Sequence, residues 1–416
     1  MRSSLLPFIG VGFGLLLLTR HPGVLLHAEF WGEDGWVWYP DAYNVGWLSL
    51  LKPWVGYLQT SSRLVALLVQ PFPLAWAPTL FAAAGLVVQI LPAVFLVSSR
   101  MDRVWPSLWA RFALALVYIA LPNSYELYVT LTNAQWHLAT LAFLVLVSDP
   151  PEHWTGRAFD GTVLIISGLS GPFCLFLLPV ACWQMLGERS RTGYRRAALV
   201  FATSIVQGGI ILATAHSSRS GEPLGASVET LARIFSLQIF FGSVLGYRTM
   251  PALLGWQPWQ TTWFPFLVAT AGVLLWLAAF ISGPSLLRKA CLFATLLLIA
   301  ALLHPQVSLS VPQWTAMTQP LAGDRYFVIP MVVWIGALFS LSTSTIATLR
   351  YASMLLLAAM AIVAIPRDWR VPHMPPTRFV EQAHAFEIAA PGTRMSFDIH
   401  PPGASPMVLV KRNSDW

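Results

Sequence analysis

The residues best suited to chemistry lie in one stretch, Glu29-Phe-Trp-Gly-Glu-Asp-Gly-Trp-Val-Trp-Tyr-Pro-Asp41. It sets carboxylates among five aromatic side chains, in a chain with only 18 acidic residues in 416. Glu33 and Asp34 are adjacent and have a glycine on either side. A carboxylate in such surroundings could take a proton from an attacking hydroxyl as general base. It could also hold a divalent cation that neutralises a phosphate leaving group, so a cation near Glu33/Asp34 is left open. Asp34 and Glu33 are the catalytic candidates, with Glu29 and Asp41 as outer possibilities. The bland alternative is a set of solvated loop acids or helix caps. The aromatic neighbours argue against it, because idle charge is costly where water is scarce.

Three further clusters could bind a substrate. In Gly56-Tyr-Leu-Gln-Thr-Ser-Ser-Arg63, Arg63 could clamp a phosphate and Tyr57 could hydrogen-bond it; an arginine reaching for lipid headgroups would look the same. In Asn133-Ala-Gln-Trp-His137, Asn133 and His137 could line a pocket and Trp136 could stack on a sugar face, although a lone histidine is more often structural. In Gly323-Asp-Arg-Tyr326, Arg325 is a second phosphate candidate with Tyr326 beside it, at what could equally be an interfacial anchor. His304 and Gln319 are weaker.

The elements that must position these residues are membrane helices. Hydrophobic residues make up 56% of the chain, charged residues 10%, and the mean hydropathy is +0.63. A soluble domain carries about 25% charge, and several segments here reach the roughly 20 apolar residues that cross a bilayer. The 19 tryptophans suit interfacial belts. The net charge of +7 comes from residues scattered between apolar segments, which speaks for topology signals and against nucleic acid as a partner. Cys174, Cys182 and Cys291 lie in apolar runs and read as core residues, so no metal site is expected of them. There is no phosphate loop, no GxGxxG after a strand, no HExxH and no CxxC pair.

Spans are expected at about Leu5–Leu18, Leu74–Val97, a stretch ending near Leu121, Leu138–Val147, Ala197–Ala213, Thr262–Ile281, Ala290–Leu303, Phe327–Leu341 and Met354–Ile365. Trp47–Tyr57 reads as a helix lying in the interface. Residues 162–186 are broken at Ser170-Gly-Pro-Phe173, and the Arg189–Arg196 basic cluster follows. A partial hairpin with arms of about 8–13 residues keeps both flanks on the cytoplasmic side. With Arg2 also cytoplasmic, the outside face then carries the acidic loop, the stretch 122–135, the loops 216–261 and 304–326, and the C-terminal tail. The fold class is therefore all-α: a polytopic transmembrane protein of about 10–12 membrane helices, including a short non-spanning hairpin. Residues 1–365 would form the transmembrane domain and 366–416 an extracytoplasmic tail or small lobe.

Glu33-Asp34 just after the first helix, a following interfacial segment, Leu169-Ser-Gly-Pro-Phe-Cys-Leu-Phe-Leu-Leu-Pro179 and the late Gly323-Asp-Arg-Tyr-Phe327 together resemble the C-type (GT-C) glycosyltransferase superfamily. Glu33-Asp-Gly, Gly56-Tyr-Leu, Asn133 with Trp136-His137, and Gly-Asp-Arg-Tyr-Phe are also similar to a little-characterised bacterial envelope group within it. The likeness covers about residues 1–365. Many members carry a lysine where this chain has Gly171-Pro172, so no ligand role passes to that position.

The resemblance implies a bacterial inner-membrane enzyme with its active site facing outside. It would move a sugar, with inversion, from a polyprenyl-phosphate donor to an envelope glycan or lipid acceptor. Asp34 or Glu33 would act as base, and Arg63 and Arg325 would contact phosphate. Partners would be the lipid-linked sugar, the acceptor and membrane lipids. A flippase, transporter or polymerase of lipid-linked glycans is the alternative.

Overall fold

The computed structural model describes residues 3–214, 221–261, 263–401 and 405–413. Arg2, Thr262 and residues 216–220, which enter the topology expected from sequence, lie outside them. The chain is 69% helical with almost no strand. Six described helices are long and apolar enough to cross a membrane, and six shorter apolar helices of 10–17 residues accompany them. An all-α membrane protein is the consequence.

The helices used below are α1 (Leu6–Leu18), α2 (Tyr39–Val45), α3 (Thr60–Val69), α4 (Leu74–Leu96), α5 (Leu108–Ile119), α6 (Ala134–Val147), α7 (Trp154–Gly168), α8 (Phe173–Glu188) and α9 (Arg191–Ala213). They continue with α10 (Val228–Leu245), α11 (Trp263–Ser282), α12 (Ser285–Leu303), α13 (Val328–Leu341), α14 (Ala347–Asp368) and α15 (Phe379–Ile388). One buried cluster, with Phe143, Phe293, Trp334 and Leu338 among its members, runs through the bundle. α6 is buried along its whole length, which explains why its sequence is apolar on every face.

The hairpin forms, with arms longer than expected. α7 and α8 have 15 and 16 residues, still short of the roughly 20 needed to cross. The turn between them is possible because Gly171 adopts φ +94°, which glycine reaches without steric cost. Its polar backbone is fully engaged. Gly171 N–H donates to Leu58 O at 2.9 Å, Thr60 N–H donates to Leu169 O at 3.1 Å, and Gln207 of α9 donates to Gly171 O at 3.1 Å. Irregular backbone inside a bundle survives only when satisfied in this way.

Two expectations need correction. Trp47–Tyr57 is no interfacial helix: Gly46–Leu51 is a short 3-10 turn, and Trp54 and Tyr57 pair across a tight turn. Pro53, together with positive φ at Val55 and Gly56, ends any helix there. The region 216–261 is no plain loop, since α10 occupies 18 of its residues with a π-helical stretch at Phe235–Phe241. α10 meets the first-loop end of the bundle at both termini. The segment before it accepts from Gln313 and Trp314 N–H through Pro223 and Leu224 O, and after it Tyr247 and Arg248 N–H donate to Asp368. Within the basic cluster, Arg196 is buried and ion-paired to Asp160 at 2.7 Å.

The tail folds into a small lobe. α15 and an antiparallel pair, β1 (Arg394–Phe397) and β2 (Met407–Val410), bury Phe379, Phe386, Phe397, Ile399 and Leu409. They do so in one cluster with Phe30, Trp38, Tyr39 and Phe81. The lobe is thus the cover of the acidic loop and shares its core.

Candidate active site

The acidic loop is held from both sides. His400 N–H donates to Phe30 O at 3.0 Å and Gly32 N–H donates to His400 O at 2.7 Å. Thr377 bonds Glu29 through its N–H at 3.0 Å and its hydroxyl at 2.5 Å. Gly35 packs closely under the lobe: a β-carbon there would come within 2.8 Å of Ile399 Cδ1 and 3.0 Å of Phe30 Cβ, so the Ile399 side chain would have to shift.

Asp34 opens a short π-helical turn, Asp34–Trp38, and is buried. Its Oδ1 accepts from the Thr132 hydroxyl at 2.7 Å, and that hydroxyl accepts from Trp38 Nε1–H at 3.3 Å. Burial pushes the Asp34 carboxyl up to about 8; the Thr132 bond opposes the rise and Glu33 adds to it. A carboxyl tuned to this range can exchange a proton near neutral pH. Asp34 lines a narrow cleft together with His21, His27, Glu29, Glu126 and His373. Glu33 lies outside that lining and is only partly buried. The adjacent acids are thereby separated in role, and the cleft sees Asp34.

A second, larger cavity of about 650 Å³ lies at the same end. Tyr57, Trp136 and Tyr326 line it, beside Gln135, Pro172 and His304. Its walls are apolar, from Leu175, Phe176, Ile211 and Leu297. Trp136 packs its ring edge-on against Phe173 and Tyr326. Trp136 Nε1 and Gln135 Oε1 are buried with no protein partner, so two hydrogen-bonding groups in the lining await one.

The two cavities meet at an ion pair. Arg325 Nη1 donates to Glu126 Oε2 at 2.6 Å, and Nη2 donates to Gln306 O at 2.5 Å. Glu126 lines the cleft, while Gln306 and Tyr326 line the larger cavity. Burial works against charge on Arg325, and Glu126 more than offsets it, so the guanidinium is held more firmly charged than usual. Asp324 is buried beside them and accepts from Glu126 N–H. Its burial, followed by the Glu126 charge, pushes its carboxyl well up.

Arg63 is fully buried and lines neither cavity. It donates to Asp41 at 2.8 Å and lies over the Trp38 ring at 5.0 Å, so it supports the tryptophan that orients Thr132. His137 is also interior: Nδ1 pairs with Tyr118 OH at 2.6 Å and Nε2 with Leu127 O at 3.2 Å. Asn133 donates to Glu126 O at 2.7 Å and shapes the loop. Of the residues singled out from sequence, Asp34, Tyr57, Trp136 and Tyr326 line the two cavities, and Arg325 lies between them, bonded to a lining residue of each. The sequence reading missed Thr132, Gln135, Glu126 and the cleft histidines. Glu126 carried a signal, as the only acid in the stretch 122–137 that also holds Asn133 and His137.

Among the described residues, no three His, Cys, Asp or Glu side chains are grouped to hold a metal ion. The cleft carboxylates thus supply no cation cage of their own. No family model, curated protein or solved structure matches the chain.

Proposed function

We propose that this protein is a membrane glycosyltransferase of the GT-C type, acting at the end of the bundle that carries the first loop. The reading rests above all on Asp34, a buried carboxyl set to about 8 that lines a cleft. In the reaction, an acceptor hydroxyl attacks the anomeric carbon of a sugar carried on polyprenyl phosphate. The new carbon–oxygen bond forms as the bond to phosphate breaks, the configuration inverts, and the hydroxyl proton passes to Asp34. The lipid phosphate departs with the electron pair.

The larger cavity supports a lipid-borne donor: apolar walls suit a hydrocarbon chain, and Trp136, Gln135 and Tyr326 suit a polar head. Arg325 is the phosphate contact in this scheme, exchanging Glu126 for the donor. Arg63 is a positioning residue and no longer a phosphate ligand. The bacterial inner membrane as location, the envelope glycan or lipid as acceptor, and the outward-facing site all belong to the same proposal.

The test is transfer of labelled sugar from a polyprenyl-phosphate donor in membranes holding equal amounts of protein. Asp34→Asn should lose about 100-fold or more in rate, while Glu33→Gln stays near the parent. Full activity of Asp34→Asn would sink the proposal. Movement of lipid-linked sugar across vesicles with no new glycosidic bond would replace it with a transporter.

A further inference from the structure

A third cavity, of about 540 Å³, sits at the opposite end of the bundle from the acidic loop. Its lining comes from the start of α5 with the connector Val104–Ser107 before it, from Pro284, Leu286 and Leu287 at the start of α12, from Ser340, Ser342 and Thr343 at the end of α13, and from α4 and α6. The interior is apolar, with Leu96, Leu114, Phe143, Phe293 and Val333 around it. Along α5 it reaches from Ser107 to Tyr118. At 1.5 Å per residue that is about 16 Å, close to half of the ~30 Å hydrocarbon core of a bilayer.

The mouth is electropositive. The N-termini of α5 and α12 both open onto it, and neither has an acidic residue in its first turn. Exposed Arg103 adjoins the lining residue Val104, and partly buried Arg288 adjoins Leu287. Arg288 is tethered to Phe280 and Ile281 O. Asp102, the acid in the connector before α5, is paired with Arg111. Helix N-termini and arginines together favour an anion.

We infer that this cavity binds one hydrocarbon chain of an anionic membrane lipid from the leaflet opposite the acidic loop, with the headgroup at the α5–α12 mouth. Depth, apolarity and charge each select that occupant: a chain one leaflet long, delivered from the bilayer, carrying negative charge at its outer end. A zwitterionic lipid would satisfy the interior but leave the mouth unmatched.

Gly336 makes the site testable, because it lines the cavity and a β-carbon there would touch nothing within 4 Å. The protein is placed in phosphatidylcholine nanodiscs doped with phosphatidylglycerol or phosphatidylcholine bearing a diazirine at one chain end. Labelled peptides are then mapped. We expect phosphatidylglycerol to label α5, α12 or α13 residues of the lining in preference to phosphatidylcholine. Gly336→Phe should cut this labelling by about tenfold, a shift of 1.4 kcal/mol, and Gly336→Leu serves if that variant does not insert. Gly12→Phe, on the exposed face of α1, should leave it unchanged. Arg103→Ala with Arg288→Ala should erase the headgroup preference and keep chain labelling. Equal labelling by the two lipids in the parent, or labelling indifferent to the Gly336 variants, overturns the inference. None of these readouts uses sugar transfer, so they stand or fall apart from the proposed enzymatic function.

Discussion

Thr132 Oγ1 donates a 2.7 Å hydrogen bond to Asp34 Oδ1 across 98 positions of sequence. Trp38, four residues beyond Asp34, fixes the hydroxyl by donating to it at 3.3 Å. The carboxylate is thus set by its own helical turn and by the loop before α6 together. Thr132→Val keeps the shape and removes the donor. Because the hydroxyl favours the ionised carboxylate, its loss should move the alkaline rise of the transfer rate to higher pH. At pH 7 the rate should fall tenfold for each unit of that move, about 1.4 kcal/mol. An unmoved pH profile would separate Thr132 from Asp34 chemistry.

The pH dependence of the parent follows with a definite sign. A base held at about 8 is mostly protonated at pH 7, so transfer should climb with pH and level off above about 8. Stability should run the other way. The folded state keeps the Asp34 proton that the unfolded chain releases near 3.8. This contribution is full below about 4 and is lost as pH rises through about 8. Unfolding midpoints in detergent across pH 5–9 should show the decline, and Asp34→Asn should flatten it.

Arg63→Ala should act on stability first. It removes the support from Trp38 and one of two cations from Asp41, which keeps Lys52, so the cost is about 1–2 kcal/mol, below that of leaving a buried charge alone. The melting temperature should drop and the maximal rate should fall, while the donor KM stays within about twofold. A large rise in donor KM with unchanged melting would restore Arg63 as a direct phosphate contact.

Glu126 and Arg325 should give opposite signs in donor affinity. Glu126→Gln keeps the shape and releases the guanidinium, so the donor KM should decrease. Arg325→Gln should raise it by about tenfold or more, as expected on losing a charge-assisted contact. Steady-state kinetics with a short-chain donor separates the two, and a shared direction in both variants would remove Arg325 from phosphate binding.

Much of this was readable from residue order, for identifiable reasons. Asp34 stood out because an acid flanked by glycines and tryptophans is rare in so apolar a chain. The hairpin showed in Gly171-Pro172. α10 was hidden because Glu229, Arg233, Ser236 and Gln238 dilute its hydropathy. Each of those side chains proves to be engaged: Arg233 with Glu229, Ser236 with Pro265 O, and Gln238 with Met317 O. The partners of the arginines were hidden for another reason. Arg63 and Arg325 find their acids 22 and 199 positions away, and only the fold reveals that pairing.

The clasp on the acidic loop has a bearing on how the protein is made. Thr377 reaches Glu29 across 348 positions, and at roughly 5–20 residues per second a ribosome needs about 20–70 s to cover that distance. Throughout that interval Phe30, Trp38 and Tyr39 have no lobe to pack against. A nascent chain can therefore insert its early helices long before it owns a working site, and one halted short of β2 is inserted but incomplete. The clasp on the acidic loop is therefore a late event, and a chain cut before β2 should keep its early helices while losing the pairing that closes the lobe.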